Sequence, residues 1–331
     1  NEEHLRNTEF AQPAIGVLSS GLFKILAEAG FKPDLVAGHS FGELTALWAA
    51  RVLSDEDFFA LAQARGRAMA APEDPGFDAG SMLADIGDVE AIRKEVDKDP
   101  ACVVANLNSK QEVVLAGPTE GLAALQKRLK EAGYRVVPLP VSAAFHTPLV
   151  GHAQKPFAKA IRAAKFRSPQ CPVYSNTTGR PYGEDPKAIQ KRLAEHILNP
   201  VLFKEEIENM YEDGGRLFVE FGPRGILAKL VGNILEGKPH MAVALNASPK
   251  RSSDRQLRQA VVELRVAGLP LRDIDPYRAE EPIADKKARG PATVTLTGSN
   301  YVSEKTQKAF LDALHDGHQV AASVNAMPAS E

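Results

Sequence analysis

The chain has 331 residues, 44% hydrophobic and 25% charged, a profile that fits one large or two moderate folded domains with a tail. Forty Lys and Arg stand against 42 Asp and Glu with no long single-sign block, so neither a nucleic-acid track nor a patch for an anionic membrane is expected. Cys102 and Cys171 are the only cysteines, which excludes a disulfide framework and a structural zinc site and fits a reducing cytoplasm.

The N-terminus is polar and acidic and no run of 18 apolar residues occurs, so neither export nor a membrane span is expected. Ile15, Leu18, Leu22, Ile25 and Leu26 recur at three and four and predict a helix over 14–29, with Gly30 at its C-terminal cap. Leu35-Val36-Ala37 then reads as a short strand, followed by Gly38-His39-Ser40-Phe41-Gly42 and a helix through Glu43, Leu44, Leu47 and Trp48. Ser54, with Asp55, Glu56 and Asp57 behind it, opens a third helix that runs to about Met69. Pro72, Pro75, Gly76 and Gly80 break the pattern.

From Ser81 the rhythm becomes strand 82–86, helix 89–96, strands 102–106 and 113–116, helix 121–132 and strand 135–140. That β-α-β-β-α-β order predicts a ferredoxin-like subdomain at 81–141. Strands at 173–175 and 217–220 then alternate with helices at 154–164, 186–196 and 225–235. The expected fold class is α/β, with residues 1–80 and 142–268 forming a core into which 81–141 is inserted. Residues 269–331 read as a linker and tail with a last strand at 293–297 and helix at 304–314.

Gly38-His39-Ser40-Phe41-Gly42 matches G-x-S-x-G between a predicted strand and helix, the context in which such a turn exposes a nucleophile. Ser40 is the candidate nucleophile, and the Phe41 N–H at the helix start a candidate donor to a developing oxyanion. An ordinary glycine turn is the rival reading. A serine needs a base, and the chain has eight histidines: His4, His39, His146, His152, His196, His240, His315 and His318. His39 should point away from its neighbour. His146 lies where the chain leaves the inserted subdomain, a cleft position, although locally the other histidines are as eligible. Arg65, near the end of the third helix, reads by itself as a solvated arginine favouring the helix C-terminus. No P-loop, G-x-G-x-x-G or H-E-x-x-H occurs, so no metal and no bound cofactor is expected.

Taken together, Gly38-His39-Ser40-Phe41-Gly42-Glu43, Arg65-Gly66, Ala105-Asn106-Leu107-Asn108-Ser109, Ala144-Phe145-His146-Thr147, Tyr174-Ser175-Asn176, Asn199-Pro200-Val201 and Glu220-Phe221-Gly222-Pro223 resemble, in order and spacing, the malonyl-CoA:acyl-carrier-protein transacylases. The resemblance covers about residues 8 to 270 and includes acyltransferase domains of iterative type I synthases, such as those for polyunsaturated fatty acids or heterocyst glycolipids. It implies an α/β-hydrolase-like parallel-sheet core. It implies a ping-pong transfer in which Ser40 attacks the malonyl thioester, His146 carries the proton and Arg65 holds the malonyl carboxylate. The substrate would be malonyl-CoA and the acceptor a phosphopantetheine thiol on an acyl carrier protein, with a ketosynthase and other synthase domains as neighbours. His39, Phe145 and Asn106 are candidate pocket residues. The glutamine that often follows Asn/Ser-Pro-Val in the bacterial enzymes is Leu202 here, and a backbone carbonyl at that point is expected to orient His146 without a third acidic member.

The family's leading strand, with its Gly-Gln-Gly-x-x-Gln loop and a second oxyanion amide, would precede residue 1. The chain is therefore expected to be a fragment or to receive that strand from elsewhere. A serine hydrolase with the same elbow would run Ser, acid, His in chain order. A non-catalytic carrier-docking module is the other alternative.

Overall fold

The computed structural model describes residues 7–70, 76–141, 143–272, 274, 307, 311 and 312. The chain divides into a unit ending at Ile274 and a second beginning at Asp275. The predicted strand at 293–297, and Pro72 and Pro75, lie outside the described residues; of the predicted helix at 304–314 only 307, 311 and 312 are described, all helical.

Helix α1 (Thr8–Glu28) begins earlier than its apolar spacing predicts, because the Asn7 side chain accepts from the Glu9 N–H at 3.1 Å and Pro13 is taken inside the helix. Helices α2 (Phe41–Ala49) and α3 (Asp55–Ala68) follow, the latter capped by Ser54, whose hydroxyl accepts from the Asp57 N–H at 3.1 Å. By length and composition α1 could cross a membrane, yet Leu22, Phe23 and Leu26 are buried within the unit. Phe23, Phe41, Leu44, Leu47, Trp48, Phe58 and Leu61 form one core. Helices α1 and α3 approach so closely that a Cβ on Gly66 would lie 2.8 Å from the Thr8 carbonyl oxygen and 3.0 Å from Glu9 Cα.

Residues 81–138 form β1 (Ser81–Ile86), α4 (Val89–Val96), β2 (Val103–Leu107), β3 (Glu112–Gly117), α5 (Thr119–Glu131) and β4 (Arg135–Pro138). The sheet order is β2-β3-β1-β4 with every neighbouring pair antiparallel. One face lays Leu83, Val113, Leu115 and Val136 against Ile92, Leu122, Leu125 and Leu129 of the two helices. On the opposite face Met82, Ala105, Val114 and Ala116 pack with Ala144, where the chain has left the sheet. The Leu107 N–H donates to the Val201 carbonyl at 2.8 Å and the Val201 N–H to the Ala105 carbonyl at 2.9 Å. These bonds stitch the sheet to the segment that carries Asn199-Pro200-Val201.

The chain continues through α6 (Gly151–Ala163), α7 (Pro186–His196), α8 (Phe203–Glu212), β5 (Leu217–Pro223), α9 (Ile226–Ile234), β6 (Met241–Asn246) and α10 (Ser253–Val266). The result is a mixed α/β fold in which β5 and β6 pair in parallel. Strands expected at 35–37 and 173–175 are reduced to isolated bridges, parallel between Val36 and Val173 and antiparallel between Tyr174 and Pro181. Elements α8, β6 and α10 were not anticipated, although Phe203, Ile207 and Met210 of α8 have helical spacing. The core also extends past residue 268: Leu271 is buried and the Arg272 N–H donates to the Ala29 carbonyl at 2.8 Å, so the division falls after Ile274.

The approach of α1 to α3 generates a prediction. Gly66→Ala places a methyl against backbone that cannot rotate away, and should destabilise the fold by ~1–3 kcal/mol. Gly21→Ala, with nothing within 4 Å of the new methyl, should be neutral or stabilising. Thermal midpoints of the two variants check the contrast.

Candidate active site

The Val36 N–H donates to the Pro172 carbonyl at 3.0 Å and the Tyr174 N–H to the Val36 carbonyl at 2.9 Å, so the chain at 173–176 runs alongside 36–38 and delivers Asn176 next to Ser40. Ser40 adopts φ 53° and ψ −109°, a conformation that L residues disfavour. Such backbone costs about 1–3 kcal/mol and persists only when the surroundings enforce it. Here its N–H donates to Asn176 Oδ1 at 2.7 Å and its carbonyl accepts from the Glu43 N–H at 3.1 Å. A Cβ on Gly38 would collide with the Gly42 carbonyl and Glu43 nitrogen, whereas one on Gly42 would meet nothing within 4 Å. Only the first glycine of the motif is sterically required. Phe41 opens α2, so its N–H has no intrahelical partner and is free to donate, while its ring is buried against α1 near Gly16.

The Ser40 hydroxyl donates to His146 Nε2 at 2.7 Å. His146 Nδ1 faces two carbonyls, Asn199 at 3.0 Å and His196 at 3.3 Å, and since a carbonyl can only accept, the proton resides on Nδ1 and Nε2 offers its lone pair to the serine. These carbonyls lie at and just beyond the end of α7, where main-chain oxygens carry partial negative charge, and that of His196 also accepts from the Asn199 N–H at 3.1 Å. The carbonyl of Leu202, expected in this role, does not perform it. That oxygen accepts from the Glu206 N–H at 3.0 Å because Leu202 has already turned into the first turn of α8. Burial, reinforced by the Arg65 charge and His39, pushes the His146 imidazole down to about 3, so it is neutral and competent to accept a proton across the physiological range.

Arg65 is not the solvated side chain its helix position suggests: it is 1% exposed. Nη1 donates to Gln12 Oε1 at 2.8 Å and Nη2 to Ser40 Oγ at 3.3 Å, while Nε has no partner. Among the described residues no carboxylate lies within ion-pair distance of it. Burial lowers its pKa to about 10, partly offset by the field of Glu43, so the guanidinium stays charged at neutral pH.

A buried polar layer that sequence reasoning missed lies beneath the elbow. Asn176 Nδ2 donates to the Gly38 carbonyl at 2.6 Å and to Glu206 Oε2 at 2.8 Å, and its backbone N–H donates to Glu43 Oε2 at 2.6 Å. The Tyr182 hydroxyl donates to the other oxygen of Glu43. Desolvation raises the Glu43 carboxyl to about 7, and that of Glu206 well above the usual carboxylate range. His39 turns away from the Ser40 hydroxyl, as its place on a tight turn implies: its Nε2 lies 2.8 Å from Asn108 Oδ1 and 3.3 Å from Asn106 Nδ2, and its ring meets Phe203 edge-on. Phe145 is half-buried between two core clusters beside His146. Among the described residues no group of three or more His, Cys, Asp or Glu could hold a metal.

A model of the acyl transferase domain family matches residues 1–269. The chain belongs to that family. It is 36% identical over 321 residues to a polyunsaturated fatty acid synthase polypeptide of Thraustochytrium sp., covering 95% of this chain but spanning only 11% of that protein. It is 33% identical to the malonyl CoA-acyl carrier protein transacylase of Bacillus subtilis, over 70% of this chain and 74% of that enzyme. The crystal structure of the acyltransferase domain from the second module of the salinomycin polyketide synthase superposes with a TM-score of 0.77 at 28% identity, covering 91% of this chain and 68% of that one.

The low pKa of His146 sets the pH behaviour expected of an acyltransferase built this way. Its folded pKa lies below the unfolded value near 6.5, so the unfolded chain binds more protons in the window between about pH 3 and 6.5, and this residue's contribution to stability falls as pH drops through it. Single-turnover acylation of Ser40 should accordingly show no tenfold-per-unit decline centred near pH 6.5. A decline there would mean that His146 titrates as an exposed imidazole.

Proposed function

We propose that this acyltransferase domain moves a malonyl group from malonyl-CoA, through an ester on Ser40, to the phosphopantetheine thiol of an acyl carrier protein. One observation carries the reading: a buried, charged guanidinium that has no carboxylate partner among the described residues touches the oxygen of an activated serine. Taking a carboxylate into such a site is costly unless a fixed cation meets it, and Arg65 is that cation.

In the first half-reaction Ser40 Oγ attacks the thioester carbonyl as its proton passes to His146 Nε2. The C–S bond breaks, and the imidazolium returns the proton to the departing CoA thiolate. The Phe41 N–H offers one hydrogen bond to the oxyanion. The second half runs in reverse, with the carrier thiol attacking the ester and its proton reaching Ser40 through His146. His146 then needs orientation only, which the Asn199 and His196 carbonyls supply in place of an acidic third member.

The sheet order at 81–138 supports reading 81–141 as a ferredoxin-like insertion in an α/β-hydrolase-like core. Neighbouring synthase domains, a ketosynthase among them, are the proposed context, given the length of the Thraustochytrium relative. The free Cys102 and Cys171 fit a cytoplasmic enzyme. A hydrolase sharing the elbow would place its histidine after an acid late in the chain and has no use for Arg65.

Ser40→Ala should abolish labelling by malonyl-CoA with little change in thermal midpoint. Arg65→Ala should lower kcat/KM for malonyl-CoA by roughly 10- to 200-fold, the equivalent of ~1.5–3 kcal/mol, and leave acetyl-CoA unharmed or improved. Arg65→Lys should restore activity only in part, since an ammonium keeps the charge without the two-pronged geometry. Equal losses for both thioesters would assign Arg65 a structural role only.

A further inference from the structure

The His196 side chain is fully buried, and no step of the transfer uses it. Its Nε2 lies 3.1 Å from Asn176 Oδ1 and its Nδ1 has no partner. The orientation of the Asn176 amide is settled by its surroundings. Nδ2 faces two acceptors, the Gly38 carbonyl and Glu206 Oε2, while Oδ1 faces a donor, the Ser40 N–H. The second approach to Oδ1 must therefore also be a donor, which places the His196 proton on Nε2. The remaining nitrogen keeps a buried, unsatisfied lone pair, a costly arrangement that calls for a reason.

The backbone of the same residue supplies one. Its carbonyl accepts from His146 Nδ1 at 3.3 Å, and the two imidazole centroids are 5.2 Å apart. Through its ring His196 bonds the amide that holds the strained nucleophile, and through its carbonyl it bonds the base. Apart from the nucleophile Ser40 itself, the other partners described for these two side chains each reach one arm: Asn199 the base, and Gly38 and Glu206 the amide.

We propose that the His196 side chain is a positioning residue, whose Nε2–H bond to Asn176 keeps the Ser40 elbow in register with a base held by its own carbonyl. The inference rests on the reading of Ser40 and His146 as nucleophile and base. Burial, with the fields of His146 and Arg65, pushes the His196 imidazole well below its ordinary value, so the ring adds a donor without adding a second charge beside Arg65. Its Nε2 is 3.9 Å from Glu43 Oε2, outside hydrogen-bond range, so Asn176 is the acceptor. A side chain that loses the donor leaves the carbonyl and the base untouched but lets the Asn176 amide relax, and the serine oxygen drifts from the imidazole. Displacement on that scale costs roughly 10- to 100-fold in rate when the reacting atoms must meet at hydrogen-bond distance.

The test is single-turnover malonylation by wild type, Ser40→Ala, His196→Leu and His196→Gln. Leucine keeps the bulk and removes the donor; glutamine keeps a donor. His196→Leu should load malonyl roughly 10- to 100-fold more slowly with KM within about twofold of wild type, and His196→Gln should recover most of the rate. A rate equal to wild type in His196→Leu overturns the proposal, and so does an equal loss in both variants. Should the leucine variant fail to fold, nitrogen-15 spectra of the wild-type imidazoles decide: a hydrogen-bonded Nε2–H tautomer of His196 supports the proposal, and an Nδ1–H tautomer overturns it. Wild type without Ser40-dependent label would sink the reading of the dyad instead, and the tautomer measurement would still decide whether His196 donates to Asn176.

Discussion

The site is organised around a buried cation with no carboxylate at ion-pair distance among the described residues. Arg65, 1% exposed, commits two of its three nitrogens to Gln12 and the Ser40 hydroxyl and leaves the third bare. A charge taken out of water in this way costs several kcal/mol unless something offsets it. A hydroxyl and an amide oxygen offset a part. The remainder explains why the nearest features are what they are. Gly66 lets α1 come close enough for Gln12 to reach the guanidinium, and the Arg65 charge adds to burial in keeping His146 neutral, whereas at Glu43 it opposes the desolvation that raises the carboxyl to about 7.

The second organising element is a single amide. Asn176 accepts from Ser40, accepts from His196 and donates to Gly38 and Glu206. It therefore touches the strained residue itself, Gly38 two residues before it and, through the His196 ring, the helix end that holds the base. The strain in Ser40 is stored against this network and not against the glycines, of which only Gly38 is sterically needed. The serine is held where its proton points at His146 and its oxygen touches Arg65.

Much of the local architecture was legible in the sequence. Helix α4 at Val89–Val96 and helix α7 at Pro186–His196 match their expected spans, because Asp88 and Asp185 are side-chain caps and Pro186 fills the first position of α7. Ser40 could be proposed from its turn, but local sequence could not choose His146 among eight histidines; the family resemblance did. The misreadings share a cause. Which carbonyl orients His146 leaves no mark on side-chain identity, so the position after Asn-Pro-Val was favoured over the end of α7. The burial of Arg65 depends on the approach of α1 and α3, and its one trace in the sequence is the glycine that follows it. Glu206 lies on a helix that was not anticipated, and neither Glu43 within its motif nor His196 among eight histidines carried a sign of burial, since periodicity does not show that a polar face is turned inward against another polar face.

The most direct test of the account is a crystal structure of the malonylated enzyme, trapped on Ser40. The malonyl carboxylate should lie at roughly 2.7–3.2 Å from the Arg65 guanidinium nitrogens, which no carboxylate among the described residues reaches. A malonyl ester whose carboxylate points to solvent, with Arg65 still bound only to Gln12, would contradict it.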